Sequence, residues 1–159
     1  MPGRVYEITV DAIAVSAVAD IIWLSCPTDS VVYIEEIIVT QEASELSEQM
    51  PLFLFRTTTD NSAAGTSNTP NPTEVGDPAY GGVVRHNIVG GSLSAETTPI
   101  RRQSQNQLNG WHWKGSELDP ILIMTPAAAT AGRAALKLDV APSTGITMDA
   151  YMRIREIGG

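Results

Sequence analysis

Two histidines, one cysteine and a pair of adjacent glutamates are the residues of this 159-residue chain best equipped for chemistry, and their spacing decides what they can do. A hydrolase needs a nucleophile with a base in reach. The nearest approach to a nucleophile elbow is "GGSLS", residues 90–94, which lacks the second glycine and has no strand-to-helix pattern around it. His86 and His112 are far apart, and neither sits at a metal-ligand spacing. The lone Cys26 excludes an internal disulfide framework and any multi-cysteine metal site, and reads as a small buried hydrophobe. Glu35 and Glu36 supply two carboxylates, but neighbours on a strand point to opposite faces and cannot flank one glycosidic bond. Instead, one of them turns inward to meet an arginine, or a bulge forms at this site. Asp60, Glu74 and Asp77 are oxygen donors of the kind calcium takes, yet no EF-hand or nonapeptide pattern holds them, so they read as solvated loop acids. No catalytic residue, metal or cofactor is expected from these patterns.

Binding chemistry has better candidates. In "GWHWKG", residues 110–115, strand alternation sends Trp111 and Trp113 to one side and His112 to the other. Paired indoles of this kind fill a core or a subunit contact, and less often make a platform for sugars. The passage "TSNTPNPTEVGDPAYGG", residues 66–82, is a run of Pro, Gly, Asn and Thr too long for an ordinary connection, and such loops are usually functional or disordered. Pro70, Pro72, Asp77, Pro78 and Tyr80 in this loop, with Trp111 and Trp113, are therefore the candidate interaction residues. The stretch 60–82 reads either as an arm or clasp that contacts a neighbouring protomer or a surface beneath it, or as a mobile loop without a partner.

The elements that must carry these residues alternate with period two. In "RAALKLDV" the side chains of Ala134, Leu136, Leu138 and Val140 share one face, and in "ITMDAYMRIREIGG" those of Ile146, Met148, Ala150, Met152 and Ile154 do the same. With Pro142 and Gly145 between them, the two segments read as a hairpin. Earlier segments such as "DIIWLS" and "PLFLFRTTT" are more continuously apolar, which suits strands covered on both sides. One helical turn is expected in "QEASELSEQM". About eight to ten strands with long connections predict an all-β protein, a jelly-roll-like antiparallel β-sandwich spanning residues 1–159 as a single domain with an extended loop at 60–82; an immunoglobulin-like sandwich is the second choice.

Charge and hydropathy exclude some partners. A formal charge of -8 with scattered arginines repels a phosphate backbone, so no nucleic acid is expected, whereas a basic protein surface is compatible. The apolar run "AIAVSAVA" is preceded by Glu7 and Asp11 and reads as a strand rather than a signal sequence, and Asp20, Glu35 and Glu36 interrupt the only region long enough to span a bilayer. No membrane contact is expected; the reading is a soluble protein made in a reducing compartment.

The order of "IWLSCPTDSVVYIEEIIVTQ", "LFLFRTTT", "NTPNPTEVGDPAYGG", "GWHWKGSELDPILI" and "LKLDVAPSTGITMDAYMRIREIGG" resembles a group of small tailed-bacteriophage structural proteins, the capsid decoration or cement type. The tracts "TPNPTEVGDPAYGG", "GWHW" and "APSTGITMDAYMRIREIG" are its most specific parts. The resemblance implies a non-enzymatic, jelly-roll-like virion protein made in the bacterial host cytoplasm. It would sit as a homotrimer on the outer surface of the assembled head and tie neighbouring subunits of the major capsid protein together. It carries over no catalytic position, and the "MTPAAATAGR" turn departs from it. A different class of function is a carbohydrate-binding β-sandwich module of a phage fibre or adhesion protein, resting on Trp111, Trp113, Tyr80 and Tyr151. A small jelly-roll enzyme lacks the metal-binding histidine set such enzymes use.

Overall fold

A computed structural model describes residues 3–42, 48–106, 109–116, 118–126 and 132–158. The core of the expected helical turn in 41–50 and most of the 124–133 turn lie outside the described residues. Twelve strands are present among the described residues: β1 (Arg4–Val15), β2 (Ala19–Ser25), β3 (Ser30–Gln41), β4 (Gln49–Thr57), β5 (Thr66–Asn68), β6 (Asn71–Pro72), β7 (Val84–Val89), β8 (Glu96–Asn106), β9 (Trp111–Lys114), β10 (Leu122–Met124), β11 (Arg133–Leu138) and β12 (Ile146–Gly158). A short 3-10 turn spans Gly90–Ser92.

The strands form two antiparallel sheets packed as a sandwich. The front sheet runs β10-β3-β12-β1-β6, with β9 also paired to β3, and the back sheet runs β5-β7-β2-β11-β4-β8. Strands β1 to β4 alternate between the sheets, and so do β8, β9/β10, β11 and β12, which sets β1-β12-β3-β9/β10 over β2-β11-β4-β8. That interleaving is the double Greek key of a jelly roll. The three short strands β5, β6 and β7 are added along one flank.

Period-two alternation builds the interior. Along β12 every second residue from Ile146 to Ile154 is buried, and these side chains meet Ile8, Ile37, Leu54 and Leu136 between the sheets. The expected hairpin of β11 and β12 does not form: β11 pairs with β2 and β4 in the back sheet, whereas β12 pairs with β1 and β3 in the front one. An apolar stripe on one face is satisfied equally by a neighbour in the same sheet or by one across the core, so alternation does not select between them. Val140 lies beyond the end of β11 and is exposed, not part of the inner face. Ala135, on the other face of β11, is buried in a second cluster with Trp23, Phe53, Phe55 and Ile88 on the outer side of the back sheet. This second cluster is why β2 and β4 read as continuously apolar.

The outer cluster has its own cover. Ala64 packs against it, the Arg102 guanidinium stands 5.3 Å from the Phe53 ring centre, and the Lys137 ammonium stands 5.7 Å from that of Phe55. Residues 58–60 are held to the same sheet by Arg133, which donates to the Thr58 carbonyl at 2.9 Å and to Asp60 at 2.7 Å.

The pairing of β1 with β12 is interrupted. Between Val10 and Ile13 the pairing with β12 shifts register, and Ala12 takes a φ of 54° while its N–H donates to Asp149 Oδ1 at 2.9 Å. A left-handed conformation costs an L-residue about 1–2 kcal/mol, a cost glycine escapes. Ala12→Gly should therefore raise the stability by about 0.5–1 kcal/mol in urea unfolding despite the added chain entropy of glycine. A loss of stability would show that the bulge is not where the strain resides.

Candidate functional site

The long Pro/Gly segment is bound to its own sandwich along most of its length. From β4 the chain enters β5, which pairs with β7 in the back sheet, then crosses to β6, which pairs with Tyr6 and Glu7 of β1 in the front sheet, and returns to β7. Asn68 Nδ2 donates to the Thr9 carbonyl at 2.9 Å, and Thr73 N–H donates to the Val5 carbonyl at 2.9 Å. Pro70 is buried at the crossover, while Pro72 is exposed. The segment is thus a strap that laces the two sheets across one flank.

Two tyrosines fasten its far end. Tyr80 lies in the core with its ring edge-on to Tyr6 at 5.5 Å, and its hydroxyl donates to the Ser25 carbonyl at 2.7 Å. The Tyr6 hydroxyl donates to the Pro78 carbonyl at 3.0 Å. Burial is the first cause that raises both phenol pKa values, with Glu156 nearby adding to it. Gly82 permits the close approach, because a Cβ there would stand 2.1 Å from the Ser25 oxygen and 2.8 Å from the Tyr80 ring. Between these anchors, residues 73–78 form a turn closed by the Asp77 N–H donating to the Glu74 carbonyl at 3.3 Å. Val75 stands fully in solvent at its tip, Asp77 is half-buried and Pro78 is exposed.

The opposite flank is closed by the tryptophans. Trp111 and Trp113 point from β9 into the core, as their spacing requires, and His112 points outward. Trp111 Nε1 donates to the Gln103 carbonyl at 3.2 Å, and Trp113 Nε1 donates to the Gln103 side-chain oxygen. Gln103 belongs to β8, the outermost strand of the back sheet, so these bonds join the edges of the two sheets. Arg101 stands 5.8 Å from the Trp113 ring centre and covers it. Of the four aromatics that could stack on sugars, Tyr80, Trp111 and Trp113 are buried and only Tyr151 is half-exposed, where its hydroxyl donates to Glu7 at 3.2 Å.

At Glu35 the bulge forms and the arginines are there, but they meet the carboxylate on the outer face of the front sheet and not inward. The pairing of β3 with β12 shifts register beside it, and its carboxylate accepts from Arg155 Nε at 2.6 Å, with Arg153 Nε 3.5 Å away as an ion pair without hydrogen-bond alignment. Glu36 is paired instead with His112 Nε2 at 2.8 Å. The Cys26 thiol donates to the Ser30 carbonyl at 3.0 Å, and burial pushes its pKa up to about 11, so almost none is thiolate at neutral pH. Asp60, Glu74 and Asp77 are not gathered: Asp60 pairs with Arg133, and hydrogen bonds from Ser62 are the first cause lowering its pKa. Among the described residues no group of three or more His, Cys, Asp and Glu side chains is placed to hold a metal ion. Nor is any helix long and apolar enough to cross a membrane among them.

One buried carboxyl lies outside every sequence pattern. Asp20 is fully buried on β2, where Oδ2 accepts the Ser94 N–H at 2.8 Å, and Asn61 Nδ2 in turn donates to Ser94 Oγ at 3.0 Å. These bonds pin the connection between β7 and β8 to the back sheet.

No protein-family model matches the chain, and a search of the curated proteins finds no match. The site is therefore defined by its geometry: a strap with a pinned, exposed tip on one flank, and a closed tryptophan seam on the other. Missing from the sequence reading were Gln103, Tyr6 and Val75. Gln103 lies in a polar tract with no periodicity of its own, and the partners of Tyr6 are more than seventy residues away in the chain.

Two outcomes test this geometry. Truncating Trp113 to Ala should cost about 3–5 kcal/mol in urea unfolding. Gln103→Leu, which leaves the Trp113 indole N–H without its acceptor while the backbone carbonyl still serves Trp111, should cost about 1–3 kcal/mol; a surface-like effect below about 0.5 kcal/mol for either would remove the seam. Asp20 gives a pH signature. Burial raises its native pKa above 3.8, so the native state holds this proton more tightly than the unfolded chain, and the associated stability is full below pH 3.8 and lost as pH rises through the native value. Asp20→Asn keeps an acceptor for Ser94 and has no such loss. Its stability relative to the parent should therefore climb as pH rises from 3.8 toward 7 in paired urea titrations, and a flat difference would contradict the assignment.

Proposed function

We propose that the chain is a structural virion protein that decorates a tailed-phage capsid and stabilises it by bridging neighbouring subunits of the major capsid protein, without turnover. The resemblance of its ordered tracts to the decoration type supports this reading, and so does the jelly-roll sandwich. The observation that carries it is the strap tip. Thr73 and Pro78 are tied to β1 at either end of a turn whose Val75 is fully exposed beside Glu74. A large apolar side chain held out on a pinned turn loses little entropy on docking. Acidic flanks suit a basic rim on the partner. Repeated over a closed shell, many such weak contacts give high avidity without any single strong site.

The aromatic distribution favours this over sugar binding, because three of the four candidate stacking rings are spent on closing the sandwich. Tyr6 and Tyr80 then act as positioning residues for the tip, and Trp111, Trp113 and Pro70 serve the frame that presents it.

The test is co-sedimentation with expanded shells built from the capsid protein of the same phage. Val75→Asp combined with Glu74→Lys alters only exposed side chains, so the thermal midpoint should stay within about 2 °C of the parent. Shell binding should weaken at least about ten-fold, equivalent to about 1.4 kcal/mol per site. Undiminished binding by the folded double variant would reject the clasp.

A further inference from the structure

From the outer face of the front sheet we infer that it is the surface through which one copy of this chain contacts another. The other surfaces are already occupied or defended. The outer face of the back sheet is covered by Ala64 and by the Arg102 and Lys137 side chains, with residues 58–60 and 94–95 fastened beside it. Its outermost strand β8 carries Pro99, Arg101 and Arg102 and gives its Gln103 carbonyl to Trp111, which leaves a poor edge for strand addition. The outer edge of β1 is covered by β6 at Tyr6 and Glu7 and capped at Thr9 by Asn68. The front sheet's outer face has no such cover among the described residues.

Its make-up fits a protein contact. Val5, Tyr33, Ile38 and Tyr151 are half-buried there, on strands that lie side by side. Tyrosine and arginine are enriched at interface centres and lysine is depleted, and the strands here contribute Arg153 and Arg155 with Lys114 at the margin. Four acids on the face are already partnered: Glu35 by Arg155 and Arg153, Glu36 by His112, Glu7 by the Tyr151 hydroxyl, and Asp149 by the Ala12 N–H, with Asp11 exposed beside the bulge toward one end. Docking over the partnered groups would therefore strand none of these four charges, the usual penalty for burying ionic groups.

Charge identifies the occupant. The chain carries a net -8, yet this face holds five acids, Asp11 included, against three bases, so most of the excess lies elsewhere, on loops such as 73–78. A basic partner would be drawn to those loops, whereas two identical acidic molecules approach with least repulsion where the charge is nearly balanced. Size agrees. Strands about 4.8 Å apart and rising about 3.3 Å per residue make a face about 20 Å by 40 Å, or roughly 800 Å². That is about the area each partner contributes to a stable association. The inference deepens the assembly reading, but purified protein tests it without any capsid.

The experiment is sedimentation equilibrium with the full chain, and with Ile38→Lys, Thr9→Lys and the control Val140→Lys. Thr9 is exposed on the face, so its replacement leaves the core untouched even if Ile38→Lys unfolds the chain, and Val140 is exposed away from the face. The parent should sediment at a multiple of 17.0 kDa, the control should match it, and each folded face variant should dissociate at least about ten times more readily. A parent that stays at 17.0 kDa up to about 100 µM, or an oligomer indifferent to Thr9→Lys, overturns the inference. A parent that stays monomeric yet binds shells would refute this contact alone. An oligomer that ignores shells would refute the capsid reading alone.

Discussion

Two sheets stacked face to face bury their shared surface, but along both flanks the interior would meet water and the outermost strands would present unpaired backbone. Closing those flanks is the constraint on which the rest of this molecule depends. On one side two indole N–H groups reach from β9 to Gln103 of β8, so the residues that fill the core also bond the sheets together. Buried indoles seek such acceptors because an orphaned N–H costs about 1–3 kcal/mol. On the other side the chain itself serves as the closure, pairing first with β7 and then with β1. The two solutions differ in chemistry and have the same effect. Neither flank offers a clean template for another chain's strand.

The strap has a second consequence. A segment added only to cover a flank could lie flat, yet this one rises into a turn between Thr73 and Pro78, with both ends of the turn tied to β1 and its neighbour Tyr80 sunk in the core. Gly82 is needed two residues after Tyr80, since any side chain there would collide with the Ser25 carbonyl. The fold thus spends a buried tyrosine pair, a buried proline and a constrained glycine on holding a short exposed turn in place. Rigid presentation is what a docking element gains from such anchoring, because less freedom remains to be lost on contact.

Much of this frame was legible in the residues. Ile146 to Ile154 declare a strand with one buried face, and Trp111 and Trp113 declare a common side; β12 and β9 match both patterns. The partner of each strand was not legible. β11 and β12 look like a hairpin because "APSTG" is good turn chemistry, but the same residues can carry a chain from one sheet to the other, and only the packing of four other strands decides. Residues 66–72 read as loop because three residues in β5 and two in β6 are too few, and too polar, to show any period. Glu35 was half legible. Two adjacent glutamates in an apolar strand signal an irregularity, and the bulge with its arginines is the response. Asp20 was legible only as a charge interrupting an apolar region, since its partner Ser94 lies in a connection with no pattern of its own.

The distribution of charge links the frame to assembly. Acidic side chains on protruding loops repel like molecules and attract basic ones, and the outer face of the front sheet is nearly balanced and internally paired. A molecule built this way has two kinds of surface with different preferences: projecting acidic elements suited to a basic substrate, and a flat, charge-compensated sheet suited to its own kind. Both are held by rigid strands and closed flanks, with no hinge between them among the described residues. On the capsid reading proposed above, such a body would draw its strength on a surface from repetition, each copy adding a modest contact whose geometry is fixed in advance.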